Sequence, residues 1–204
     1  MDHEVLGSKI STIFSSWLTQ IGYPVINVTK EENKLKLQQQ EFHFQGSSSA
    51  SSNKKWSIPI SYVTNDGDWE KLVATHLFTF DKSELEIELV PINATFYLLN
   101  TQQIGYYRVN YDEDNWYAIK MALKHDINSI HVLNRAQIVD DLFNLAAAGH
   151  LTYEFAFDML EYLENETEYK VWRSALNGLK QLAIRDPKDN LADDYSSLFG
   201  VSIV

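Results

Sequence analysis

The 204-residue chain has no cysteine, which excludes disulfide scaffolds, thiolate zinc sites and thiol nucleophiles while leaving open whether it is secreted. Positive charge is also scarce: 17 Lys and Arg stand against 28 Asp and Glu, for a net charge of −11. Without a basic run the chain cannot release counterions from a phosphate backbone, so nucleic acids and anionic membranes are poor partners. Long apolar runs are missing too. The stretches Phe96 to Leu99 and Leu145 to Ala148 fall far short of a bilayer span, and the acidic start Met1-Asp2-His3-Glu4 is no signal peptide. What remains is enough to fold: 45% apolar and 13% aromatic residues, on a length that suits one large domain or two modest ones.

Periodicity divides the chain into three parts. Ile10, Ile13, Phe14, Trp17, Leu18 and Ile21 recur at helical spacing over 8–21, with Gly22 and Pro24 as stop signals, and predict a short amphipathic helix. From Val25 to Tyr111 the period drops to two. Leu35 and Leu37 alternate with lysines, while Leu85, Ile87 and Leu89 alternate with glutamates, the pattern of strands with one face buried. A serine-rich loop over 46–53, the pair Asp66-Gly67 suited to positive φ, and Pro91 separate the runs. Seven or eight short strands predict a β-sandwich of immunoglobulin-like type.

After Tyr111 the spacing turns helical to about Arg185. Asp112 or Asp114 caps one predicted helix, Asn128 or Ser129 opens a second that ends at Gly149, Thr152 caps a third, and Thr167 caps a fourth with the stripe Trp172, Ala175, Leu176, Leu179, Leu182 and Ala183. Short connections predict antiparallel hairpins, an incomplete α-solenoid. The domains expected are therefore a terminal helix at 1–23, a sandwich at 24–111 and the start of a helical domain at 112–204. At least two apolar surfaces then lack a partner, which predicts a piece of something larger.

Catalytic patterns are few. His3-Glu4-Val5-Leu6-Gly7 begins like H-E-x-x-H, but Gly7 replaces the second histidine, so two nitrogen ligands cannot share a helix face. Asp112-Glu113-Asp114 resembles the opening of a calcium loop, but Tyr117 and Leu123 stand where that loop needs glycine and glutamate, so helix capping is the better reading. Asp140-Asp141 point about 100° apart on a helix, which predicts a wet face with Arg135 as salt partner; an esterase or glycosidase using these two with a distant histidine is the weakest alternative. His43, His76, His125, His131 and His150 are scattered, and no nucleophile elbow, Walker loop or dinucleotide fingerprint occurs. The residues thus name no catalytic, metal or cofactor position. Three N-glycosylation sequons begin at Asn27, Asn93 and Asn165, little more than chance gives for a chain this rich in Asn, Ser and Thr.

Several strings are similar to those of zinc aminopeptidases of the aminopeptidase N type. Trp17-Leu18-Thr19-Gln20-Ile21-Gly22-Tyr23-Pro24-Val25-Ile26-Asn27-Val28 resembles the end of that family's catalytic domain. Trp56-Ser57-Ile58-Pro59-Ile60-Ser61-Tyr62 resembles a strand of its sandwich, and Gly105-Tyr106-Tyr107-Arg108-Val109-Asn110-Tyr111-Asp112 its junction into the helical domain. Asn134-Arg135-Ala136-Gln137-Ile138-Val139-Asp140-Asp141 and Tyr169-Lys170-Val171-Trp172-Arg173-Ser174-Ala175-Leu176 resemble helices of that domain. The likeness runs in order over about 9–185, while 1–6 and 187–204 follow no pattern of the family. It implies a zinc exopeptidase as parent, with H-E-x-x-H, the downstream glutamate and G-x-M-E-N upstream of this chain, and hence no catalytic or zinc-binding residue here. It further implies that the parent removes N-terminal amino acids from peptides, that this part caps the cavity, and that its partners are the missing catalytic and N-terminal domains. The parent is expected at the plasma membrane or outside the cell. The alternative is a stand-alone, non-catalytic peptide- or protein-binding module using the concave face of the helical array.

Overall fold

The structure, a computed structural model, describes residues 4–44 and 53–185; the expectations placed on His3, the serine-rich loop and the chain beyond Arg185 lie outside them. Strands β1 (Glu4–Val5) and β2 (Ser8–Lys9) pair ahead of helix α1 (Ile10–Leu18). Eight strands follow: β3 (Pro24–Glu31), β4 (Lys34–Glu41), β5 (Ile58–Ile60), β6 (Tyr62–Thr64), β7 (His76–Phe78), β8 (Glu84–Glu88), β9 (Tyr97–Leu99) and β10 (Arg108–Tyr111). Helices α2 (Glu113–His125), α3 (Val132–Ala147), α4 (Tyr153–Met159) and α5 (Tyr169–Arg185) complete the order, a strand region followed by helices as the periodicity predicts. Two compact units result, the first holding 4–43 and 53–118, the second Phe44 and 119–185.

In the first unit the sheet order is β10-β3-β4-β8, with β5-β7 and β6-β9 as separate two-stranded ladders. Alternation sets the buried face of β4: Leu35 and Leu37 are inside while Lys34, Gln38 and Gln40 are exposed. On the wet face Lys34 meets Glu86 at 2.9 Å and Lys36 meets Glu84 at 3.1 Å, pairs worth little energy that agree with the β4–β8 register. Trp56, Ile58, Ile60, Phe78, Leu98 and Leu99 fill the core.

Strand β10 runs parallel to β3, pairing Arg108 with Val25 through Tyr111 with Val28. The return from β9 is tight, with Asn100, Gln102 and Gln103 at positive φ. The Asn100 carboxamide closes it by donating to the Gly105 carbonyl at 2.9 Å and accepting from the Gly105 amide at 2.7 Å. Position 105 has no room for a side chain, since a Cβ there lies 2.3 Å from the Tyr107 ring. Gly67 is likewise a matter of space. Its φ is not positive, against expectation; instead a Cβ lies 2.5 Å from Val63 Cγ2 in the Asn65–Gly67 turn.

In the second unit α3 is buried along most of its length and packs against α4 and α5. Its end is the expected glycine stop: Gly149 has φ 78°, its amide donates to the Ala146 carbonyl and the His150 amide to that of Leu145. Two helix starts and one helix end differ from expectation. The cap of α3 is His131, whose Nδ1 accepts from the Leu133 amide at 3.3 Å, because Asp126 caps a separate 3₁₀ turn over Ile127–Ser129. The third helix breaks at Leu160 into α4 and a 3₁₀ turn over Glu161–Asn165, although Thr152 caps α4 as predicted. Ahead of α5 the Glu166 carboxylate, not the Thr167 hydroxyl, takes the free amides. The buried line of α5 is Val171, Ala175, Leu179 and Leu182, leaving Leu176 exposed.

Candidate functional site

Helix α1 carries the clearest unsatisfied surface. Ile13 and Ser16 face inward, and the helix is held by three bonds to the segment before β5: Trp17 Nε1 to the Ser57 carbonyl at 2.8 Å, the Ser57 amide to Ser16 Oγ at 2.9 Å, and Gln20 Nε2 to the Lys55 carbonyl at 2.7 Å. Trp17 also packs on Trp56 and Tyr106, with ring centroids 6.1 and 6.4 Å away. Tyr106 meets Tyr23, which stacks on Phe42, and the Arg108 guanidinium lies over both latter rings while its Nε donates to the Tyr23 hydroxyl at 3.2 Å. The junction string at 105–112 therefore fixes the base of α1.

The outer side of the same helix is apolar and wet. Phe14 is 57% exposed and Leu18, one turn further on, 80%; Ile21, just past the end of the helix, is 86% exposed. Full burial of such a side chain is worth about 1.5–3 kcal/mol, so three of them left largely wet side by side are unusual for a protein surface. The periodicity found this helix but not that, of its stripe, Ile13 alone is buried and Ile10 and Trp17 are half-buried, nor that the helix ends at Leu18 rather than Ile21.

Asp112 is a structural carboxylate. Oδ1 accepts from the Asn115 amide at 2.8 Å, capping α2 as predicted, and Oδ2 accepts from the Lys30 amide at 2.8 Å and the Tyr97 hydroxyl at 3.2 Å. Burial and then the Asp112 charge push the Tyr97 hydroxyl far above the ordinary phenol range, so it stays a donor.

In the second unit the salt partner of Arg135 is Glu166, not the Asp140-Asp141 pair. Nε donates to Oε2 at 2.7 Å and Nη2 to Oε1 at 3.3 Å, with both side chains buried. Nη1 donates to the carbonyls of Ile127 at 3.0 Å and Ile130 at 2.7 Å, and Glu166 also accepts from the amides of Thr167 and Glu168. Asp141 is not on a wet face; it is 3% exposed, with Gln137 Nε2 at 3.4 Å, because α3 is a central helix rather than a surface one. This set links groups 31 positions apart and carries no local signal in the sequence. Its hydrogen-bonding capacity is spent internally, which marks a pin rather than a reacting group.

A cleft of about 490 Å³ opens beside it, lined in part by Lys120, Lys124, Asp158, Glu161 and Tyr162. Lys120 bridges Asp158 at 2.5 Å and Glu161 at 3.4 Å. Burial pulls its pKa down, but the bonds and charges of these two carboxylates outweigh that and raise it. Two of the cleft's carboxylates are thus tied to a lysine. Among the described residues no group of three His, Asp or Glu side chains can hold a metal ion, and no helix is long and apolar enough to cross a membrane. The sequon asparagines separate by setting: Asn93 and Asn165 are exposed, while Asn27 is half-buried in β3.

Comparison with known proteins matches 96–198 to the model of the ERAP1-like C-terminal domain. The chain is 36% identical over 184 residues to aminopeptidase N of Plutella xylostella, covering 85% of this chain and 19% of that protein. It is 36% identical to aminopeptidase N of Rattus norvegicus, over 85% of this chain and 18% of the relative, and 34% identical to aminopeptidase Ey of Gallus gallus, over 96% and 19%. The chain spans about a fifth of the length of these relatives.

Proposed function

The chain belongs to the ERAP1-like C-terminal domain family, and from that membership we propose that it is the post-catalytic part of a zinc-dependent aminopeptidase, supporting and capping the active-site cavity. The intact parent removes N-terminal amino acids from peptides, and it stands at the plasma membrane or outside the cell. The observation that carries this reading is the exposed pair Phe14 and Leu18 on α1, continued by Ile21 just past its end, on a segment held from the other side by Trp17, Ser16 and Gln20. A helix ordered so firmly on one side and left apolar on the other is built to be covered, and the upstream catalytic region is its proposed cover.

On this reading 1–23 is the last helix of the catalytic domain, 24–111 an immunoglobulin-like sandwich and 112–204 the start of a helical domain. Zinc belongs to the upstream region. Among the described residues no three His, Asp or Glu side chains gather to hold it; their part is to hold a wall in place through the Arg135–Glu166 pin and the Asp112 cap.

The test is direct. The purified chain, dialysed against buffer and then supplied with zinc, is assayed on amino-acid arylamides and its bound metal is measured. The expected result is no turnover and no stoichiometric zinc; hydrolysis that follows the chain through purification overturns the reading.

A further inference from the structure

The three sequons play no part in the function proposed above, and their settings differ. Asn93 is exposed in the turn between β8 and β9, followed by exposed Thr95. Asn165 is exposed at the end of the 3₁₀ turn Glu161–Asn165, followed by exposed Thr167. Neither carboxamide has a hydrogen-bond partner among the described residues. Asn27 instead sits inside β3, in register with Asn110 of β10 on one side and Gln38 of β4 on the other. It is half-buried, and its Oδ1 accepts from Asn110 Nδ2 at 3.1 Å. Asn110 Oδ1 in turn accepts from Nε1 of the buried Trp116 at 3.2 Å. Asn27 thus ends a polar chain that starts in the core.

We propose that Asn93 and Asn165 accept N-linked glycans and that Asn27 does not. The assignment rests on the ectodomain reading above, because the donor, a polyisoprenyl-pyrophosphate-linked oligosaccharide, is met in the secretory lumen. In the transfer Asn Nδ2 forms a bond to the anomeric carbon, the bond from that carbon to the phosphate oxygen breaks, the pyrophosphate leaves with the electron pair, and Nδ2 gives up one proton to the transferase. The Thr hydroxyl two positions on supplies the recognition element. At Asn93 and Asn165 the attached sugar displaces no buried hydrogen bond and no packed side chain. At Asn27 it must stand on the face of β3 between the side chains of neighbouring strands and break the link to Asn110 and Trp116, which selects against modified chains that fold. The glycans also mark faces that stay wet in the assembled parent, and the apolar stripe of α1 carries no sequon.

The test directs the full 204-residue chain into a eukaryotic secretory pathway behind a cleavable signal, with a known acceptor sequon in a terminal tag as internal control. Secreted, folded material is digested with peptide N-glycosidase and mapped by mass spectrometry. The expected result is one glycan lost in Asn93→Gln, one lost in Asn165→Gln and none in Asn27→Gln. Thr95→Ala should abolish the first, and Thr95→Ser should restore it. A bare Asn93 or Asn165 beside an occupied control overturns the proposal, as does an occupied Asn27 in folded chain. Because secretion is imposed, these outcomes do not depend on where the parent resides; bare sites on the endogenous protein, with occupied sites in the imposed experiment, overturn the ectodomain reading instead.

Discussion

Replacing Glu166 with alanine should cost the helical unit a large part of its stability. The carboxylate accepts Arg135 Nε at 2.7 Å, Arg135 Nη2 at 3.3 Å and the amides of Thr167 and Glu168 at 3.0 and 2.9 Å. Its removal strands a buried guanidinium with only the Ile127 and Ile130 carbonyls, a loss of about 3–5 kcal/mol. Thr167 and Glu168 are exposed, so water can replace the acceptor for their amides, which adds little. Against a typical stability of about 5–15 kcal/mol, the expected loss is about a fifth or more. Urea unfolding followed by far-ultraviolet circular dichroism measures it, since α3 and α5 supply much of the helical signal. The double variant Arg135→Met with Glu166→Leu removes both charges and should come within about 1 kcal/mol of the parent chain. If Glu166→Ala loses less than about 1 kcal/mol, or the losses of Arg135→Ala and Glu166→Ala simply add, the pin is not what holds this unit.

Gly178→Ala should destabilise the α3–α5 contact by about 1–3 kcal/mol, because the new Cβ falls 2.2 Å from Phe143 Cδ2, and Phe143→Leu in the same chain should recover part of the loss in thermal melts. Gly149→Ala should cost about 1 kcal/mol in the same assay through its positive φ of 78°. Burial lowers the pKa of His76 and His150 below the ordinary 6.5, so the unfolded chain binds their protons first as pH falls. Stability should therefore be full above that value and decline beneath it, and the double change His76→Gln with His150→Gln should flatten the decline in urea midpoints taken across that range. Phe14→Ser with Leu18→Ser should leave stability within about 0.5 kcal/mol while lowering the binding of a hydrophobic dye, since both side chains already face water.

Local chemistry was legible and distant chemistry was not. The existence of α1, the alternation of Leu35 and Leu37, the Asp112 and Thr152 caps and the Gly149 stop each follow from a few neighbouring residues, and the structure bears them out. The strings at 17–28 and 105–112 carried the family resemblance that the comparisons bear out. Glu166 was invisible as a partner because it stands 31 residues from Arg135 and shares no period with it. The same distance misplaced Arg135 on a wet face: helical spacing gives the angle between side chains, not whether a second helix covers both. Asp66-Gly67 looked like a positive-φ turn from its letters, but the approach of Val63 sets the need for glycine there. For α1 the apolar period could not say which of its residues this chain buries, because the pattern is the same whether the cover is present or elsewhere.

On the proposed function, the exposed side of α1 is one half of an interface with the catalytic region of the parent. Titrating this chain against that separately produced region in a calorimeter measures it most directly. Saturable one-to-one association with the negative heat-capacity change of apolar burial is expected, abolished by Phe14→Asp with Leu18→Asp. Absence of binding between two folded partners, or binding that ignores those substitutions, contradicts it.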